Sequence, residues 1–169
     1  RGILSLKSGR PSLRETLRRD GPGPSQALEA LQDAFSPNSM CFGCGPKNPE
    51  GLHLKSYPEG QALSASWTPG PNHIAFSNFA SGGIVSVLLD CLGNWTAAYT
   101  FMVARKASAP PGTVTAAFTV RFLKPTPVGR VWKLKAWPTR RSRSKVYVEG
   151  ELRVDGDRTA TVHGLFVAV

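Results

Sequence analysis

Cysteine is scarce in this chain of 169 residues: there are three, Cys41, Cys44 and Cys91. An odd number makes a poor disulfide framework, and a chain this long can fold on its hydrophobic core alone. A reducing or organellar compartment with free thiols is therefore expected, rather than secretion. Long apolar runs are missing too. The longest, Ile84 to Val103, is interrupted by Ser86, Asp90, Gly93 and Asn94, and falls short of the roughly 18 to 20 uninterrupted apolar residues of a membrane span. Acid is the third deficit, with 11 Asp and Glu against 21 Lys and Arg.

What is present is unevenly placed. Arg121, Lys124, Arg130, Lys133, Lys135, Arg140, Arg141, Arg143 and Lys145 follow one another with no acid between them. A stretch of one sign attracts a polyanion, such as coenzyme A phosphates, RNA or an acidic protein face, or else it is a solvated sheet face covered by long basic side chains. The start of the chain is rich in Arg, Gly and Pro, with Arg1, Lys7, Arg10, Arg14, Arg18 and Arg19 against Glu15 and Asp20. That composition is Arg-rich and acid-poor, as in processed organellar N-termini, so an organellar location is expected, mitochondrial before plastid. Such an arm does not fold alone and orders only against a partner.

Local patterns divide the chain into a basic arm over 1–39 and a folded domain over 40–169. Within the arm, Ser12 and Glu15 form a capping-box pattern. A second short helix is predicted from Ser25 to Phe35, ended by Ser36-Pro37. The segment from Cys41 to Leu52 is rich in turn residues, and His53–Tyr57 with Gln61–Trp67 read as a hairpin closed around Pro58-Glu59-Gly60. A loop then leads into a helix from Gly82 to about Arg105, apolar on most faces, which something must wrap. Strands are predicted over Thr113–Leu123, Val131–Trp137, Lys145–Val154 and Thr159–Val169. The turn signals between them predict a four-strand antiparallel meander. The class is α+β, with a curved antiparallel sheet around one long central helix.

This order of elements resembles the hotdog fold. The run Ser81-Gly-Gly-Ile-Val-Ser-Val-Leu-Leu-Asp90 is similar to the signature of hotdog acyl-CoA thioesterases related to 4-hydroxybenzoyl-CoA and phenylacetyl-CoA thioesterases. Their helix begins at His-Gly-Gly, with an acid nine positions after the His. Val120 to Gly129 is similar to the family's second strand and exit turn. The resemblance covers about Met40 to Val169 and implies a homodimer, two sheets joined edge to edge with the active sites at the interface.

The chemistry gives these positions a reason. Thioester hydrolysis needs a base or an attacking carboxylate, and a donor that polarises the carbonyl. The resemblance assigns the first role to Asp90, and the second to the backbone N–H of Gly82 or Gly83 at a helix N-terminus, where orphan donors favour negative charge. Asp90 sits alone among Ile84, Val85, Val87, Leu88, Leu89, Leu92 and Trp95, where an unpartnered carboxylate costs several kcal/mol. A catalytic position or an interface hydrogen bond accounts for it. The family His is Ser81 here, which still serves as an N-cap. Thr115 stands where some of these enzymes place a Ser that positions water, and His73 and Asn78 precede the helix as candidate substitutes for the missing imidazole.

Cys41-x-x-Cys44 is read as a packed turn. A structural zinc site needs four ligands, and Cys91, His53, His73 and His163 stand at no recognised spacing, so neither a metal nor a cofactor is expected. A hotdog dehydratase is rejected, because fourteen residues after His73 stands Val87, not an acid. Two functions follow. One is an acyl-CoA thioesterase using Asp90, Gly82, Gly83, Ser81 and Thr115, with Arg121, Lys124, Arg140, Arg141 and Arg143 meeting the coenzyme phosphates. The other is a catalytically silent hotdog subunit of an organellar complex, a ribonucleoprotein such as the ribosome included, held by the arm and the basic strands.

Overall fold

The computed structural model describes residues 29–169. Both readings of the arm, the capping box at Ser12 and the first part of the helix from Ser25, lie outside the described residues.

Among the described residues the first helix, α1, covers Leu31–Phe35 and ends at Ser36, as the Ser36-Pro37 pair required. The helix expected from Ser25 does not run through Ala30, which is extended with a ψ of 142°. α1 packs against residues that follow Met40. Leu31 joins the core. Gln32, fully buried, donates from Nε2 to the Ser56 hydroxyl at 2.9 Å and accepts the Ser56 backbone N–H at 2.8 Å. A buried amide paired at both ends costs little, whereas a half-paired one costs about 1–3 kcal/mol.

The strands are β1 Tyr57–Glu59, β2 Ala62–Trp67, β3 Ile74–Phe76, β4 Phe79–Ala80, β5 Thr113–Phe122, β6 Trp132–Arg141, β7 Lys145–Val154 and β8 Asp157–Ala168. The long helix, α2, runs from Gly82 to Arg105, as the sequence predicts. Six strands form one antiparallel sheet in the order β1-β2-β6-β7-β8-β5, while β3 and β4 make a separate two-stranded ribbon. The sheet is curved around α2. Burial on β7 alternates residue by residue, with Val146, Val148, Leu152 and Val154 turned inward, as expected of a strand with one face on the core.

Three expectations are corrected. The first arm of the hairpin is only Tyr57–Glu59, because His53 takes a positive φ of 51° that breaks an extended run. β6 continues past Trp137 to Arg141, a register shift between Pro138 and Arg140 letting proline enter the strand. The last four large strands are not a single meander: β6, β7 and β8 are, but among the described residues β5 pairs only with β8. Turn residues mark where a strand ends, and they do not say which neighbour it joins. The connection over 123–131 crosses the sheet to β6, held by Leu123 N–H donating to Thr159 O at 2.8 Å and by a bridge between Phe79 and Pro127.

α2 presents Val85, Leu88, Leu89, Leu92, Ala97 and Phe101 to the sheet, where they meet Trp132, Leu134, Leu152 and Phe166. Each such large apolar side chain contributes roughly 1.5–3 kcal/mol by leaving water. Close approach depends on Gly93, where a Cβ would meet the Phe166 ring at 2.7 Å. The helix also carries Asp90, Asn94 and Trp95, all half-buried, the first two toward β5.

Candidate active site

Asp90 lies on α2, half-buried, and accepts a hydrogen bond from the Thr115 hydroxyl of β5 at 2.7 Å. One helical turn later, Asn94 Oδ1 accepts from the Thr113 hydroxyl at 2.7 Å, and Asn94 Nδ2 donates to Thr113 O at 3.2 Å. The periods match. Four residues of helix rise about 6 Å and two residues of strand span about 6.6 Å, so Asp90 and Asn94 meet Thr115 and Thr113 in register. The ladder of β5 on β8 shifts between Thr115 and Ala117. Such an irregularity re-aims neighbouring side chains and often sits beside a site.

Burial pushes the Asp90 carboxyl above the usual range, and the charge of Cys41 adds to that, while the Thr115 hydrogen bond pulls it down. A carboxylate raised in this way is a stronger base than a solvated one. It opens on a cleft of about 400 Å3. The walls include Cys41, Cys91, Asn94, Trp95 and Thr113. All three cysteines of the chain converge here, although Cys91 stands far from the other two in sequence. The Cys41 thiol is lowered to about 5, chiefly by a hydrogen bond with Cys91, against a smaller upward push from burial. The buried Cys91 thiol is pushed up and keeps its proton.

The helix N-terminus forms a second locus. Ser81 caps it, its hydroxyl accepting the Gly83 N–H at 3.3 Å. With Gly83 engaged, Gly82, the first residue of the helix, is the one whose N–H has no intrahelical acceptor. Beside Gly82 lies a groove of about 420 Å3 lined by Phe76, Phe79, Phe122 and Lys124. His73 and Asn78 fall at this end. His73 is engaged in the fold, its Nδ1 accepting the Gly70 N–H at 2.8 Å and its ring 4.9 Å from that of Trp67. Asn78 turns the β3–β4 ribbon with a φ of 64°. Neither approaches Asp90: eight residues of helix separate Gly82 from Asp90, about 12 Å along the axis. One chain therefore cannot bring both groups to one thioester.

The basic residues divide likewise. Arg121 and Lys124 belong to the Gly82 end, where Lys124 pairs with Asp157 at 2.9 Å. Arg140, Arg141 and Arg143 lie at the opposite end of the sheet, beside the C-terminus of α2, whose Arg105 donates to the Arg143 carbonyl at 3.0 Å. The guanidinium of Arg140 stacks on Tyr147 at 4.1 Å. In the fold, acids distant in sequence reach the basic run: Asp155 lies 3.8 Å from Arg130, and Glu59 pairs with Lys135.

A family model described as thioesterase superfamily matches residues 79–161, which includes Gly82, Asp90 and Thr115. Over a wider span, a thioesterase superfamily protein of Shewanella loihica PV-4 is 33% identical, with 82% of this chain and 98% of that one covered and a TM-score of 0.61. The chain belongs to the thioesterase superfamily. Its architecture is that of the hotdog thioesterases. The E. coli PaaI protein from the phenylacetic acid degradation operon shares the fold at 17% identity and a TM-score of 0.58, over 70% of this chain and 80% of that one. So does a Streptococcus mutans protein bound to acetyl CoA, at 13% identity and 0.59, over 69% and 88%. No curated protein gives a match. Within this thioesterase-superfamily chain, the pairing of Asn94 with Thr113 and the three-cysteine cluster were not legible in the sequence. The only signal was the interruption of an apolar run by Asp90 and Asn94 four residues apart, the spacing of one helix face.

Proposed function

We propose that this chain hydrolyses an acyl-CoA thioester as a homodimer, with Asp90 of one copy and the Gly82 N–H of the other flanking one carbonyl. The observation that carries this reading is the half-buried Asp90 carboxylate, held by Thr115 and facing an open cleft. A second copy is needed because the two groups stand about 12 Å apart in one chain. β5 supplies a surface for it. It is an edge strand exposing Val114, Phe118 and Phe122, and exposed apolar edges pair with another chain. The S. mutans neighbour, bound to acetyl CoA, supports the ligand class.

In this mechanism Asp90 takes a proton from water as the oxygen adds to the thioester carbon. The oxyanion is held by the Gly82 N–H, and the tetrahedral species expels the coenzyme thiolate, which regains the proton. Direct attack by the carboxylate is the alternative, told apart by oxygen-18 from water entering Asp90 in a single turnover. Ser81, spent as the cap, needs no imidazole for the fold. Lys124 lines the Gly82 groove and suits the coenzyme phosphates, whereas Arg121 lines a separate hollow with Trp137 and His163. The test is thiol release from a panel of acyl-CoAs. Asp90→Asn should lower the rate at least about 100-fold with the fold intact. Wild-type protein releasing no more thiol than buffer would refute the enzymatic reading.

The second reading, a catalytically silent subunit of an organellar, mitochondrial complex held on RNA, is favoured by the loss of the family's histidine at Ser81 and by the basic excess.

A further inference from the structure

The three thiols are brought together by backbone built for close approach. Cys41-Phe42-Gly43-Cys44-Gly45 is a tight turn closed by Gly45 N–H donating to Cys41 O at 2.8 Å. At Gly45 a Cβ would meet Cys41 O at 2.7 Å, and at Gly43 one would meet Val87 Cγ1 of α2 at 2.8 Å. Only glycine lets the turn close and lie flat on the helix beside Cys91. The result is a triad whose sulfur atoms all lie within 4.8 Å of one another, with Cys41 and Cys91 at 3.7 Å. A donor is aimed at the cluster: the Trp95 indole N–H at the Cys44 sulfur, 3.4 Å away.

We propose that Cys41, Cys44 and Cys91 form a three-thiolate site for a thiophilic d10 cation of the Zn2+ kind, its fourth position open to the cleft beside Asp90. Zinc bonds thiolate at about 2.3 Å, which places tetrahedral sulfurs about 3.8 Å apart. The Cys41–Cys91 separation already meets that spacing, and the third sulfur needs to close by no more than about 1 Å. Cys-x-x-Cys is a common spacing for two ligands on one turn. Three protein ligands with an open fourth position are the arrangement of sites that keep water or a small donor on the metal. N–H groups directed at coordinating sulfur fix the ligands and offset their charge. Access is through Cys41, which is exposed, whereas Cys44 and Cys91 are buried. Binding would displace the thiol protons to solvent and pin the turn to the helix, fixing one wall of the cleft. The site does not depend on thioester hydrolysis, since its residues are not those proposed to act on the carbonyl.

The experiment uses the full reduced chain, stripped of metal, and Zn2+ or Co2+ alone. Zn2+ titrated against a chromophoric chelator should bind at one per chain. Co2+ should give sulfur-to-metal charge-transfer absorption in the near ultraviolet with visible bands of tetrahedral intensity. In the wild type, Zn2+ should protect all three thiols from iodoacetamide, read by peptide mass spectrometry, a measurement that needs no variant to fold. Cys91→Ser should weaken binding by more than about 100-fold, beyond what loss of an outer partner costs, with unchanged far-ultraviolet circular dichroism. The proposal is overturned by any of three results. One is no stoichiometric binding; another is binding that survives Cys91→Ser; the third is a Cys41–Cys91 disulfide formed in air by protein that takes up no Zn2+. Thiol release from acyl-CoA, measured separately, reports on the hydrolytic reading and leaves this one untouched.

Discussion

At the scale of single residues, the arrangement turns on how few groups touch Asp90. Among the described residues its one hydrogen bond from a side chain is donated by Thr115, from a strand position next to a shift in register. In the proposed reaction Thr115 would be a positioning residue: its hydroxyl bonds the carboxylate and lowers a pKa that burial raises. A hydrogen bond to a charged group is worth about 1.5–3 kcal/mol. Thr115→Val should therefore cost roughly 10- to 100-fold in kcat on acyl-CoA with KM little changed, and Thr115→Ser should restore most of the loss. A variant that lowered only thermal stability, with kcat intact, would reduce Thr115 to a structural contact. Asp90 and Thr115 were legible in the sequence, one as a lone acid in an apolar run and the other through a family resemblance. Asn94 was not. An Asn in a helix has several explanations, and only the register of β5 against α2 shows that it repeats the Asp90 contact one turn on.

Elements with a strong local period could be read closely, and pairings made across the fold could not. α2 and β7 have the bounds the pattern gives, because twenty-four residues of apolar helix and a strict alternation leave little choice. The partner of β5 was misread, since turn chemistry between β5 and β6 is compatible with a hairpin and with a crossing. That correction bears on the proposed dimer: among the described residues β5 has β8 on one side and no strand on the other, and it exposes Phe118 at its centre. Replacing Phe118 by Lys puts charge on that edge, the usual way to block strand pairing. The variant should sediment as a monomer and lose thioesterase activity together with the dimer, while retaining its far-ultraviolet spectrum. A dimer that persists would place the interface elsewhere. The packing of α2 on the sheet makes a separate prediction. Gly93→Ala drives a Cβ into the Phe166 ring, which is fully buried, and overpacking of this kind costs about 1–3 kcal/mol. Urea unfolding should show that loss as a lower midpoint at unchanged slope.

For the whole molecule the open quantity is charge. The formal net charge is +10, more than coenzyme phosphates need, and the fold spreads it in a way the sequence alone did not show. Lys124, Arg130 and Lys135 have acidic partners in β8, the β7–β8 turn and β1, so the run of bases is partly neutralised toward the Gly82 end. Among the described residues, Arg140, Arg141, Arg143 and Lys145 have none within ion-pair distance, and they gather where the β6–β7 turn meets the end of α2. Together with the arginines of the arm they form the surplus that a polyanion would meet. If the partner is RNA, each phosphate contact releases counterions, and log affinity should fall with log salt at about 0.7 to 0.9 per contact. Deleting Arg1 to Pro24 should then reduce that slope and weaken association with organellar complexes, without unfolding the domain, whose core among the described residues runs from Ala30 onward. Charge reversal at Arg140, Arg141 and Arg143 should reduce the slope again, independently of the arm. Co-sedimentation of the three forms across a salt series measures both effects. Equal and salt-insensitive recovery of all three, or no recovery of any, would remove the polyanion and leave the surplus charge as a solvated surface at the far end of the sheet from the Gly82 groove.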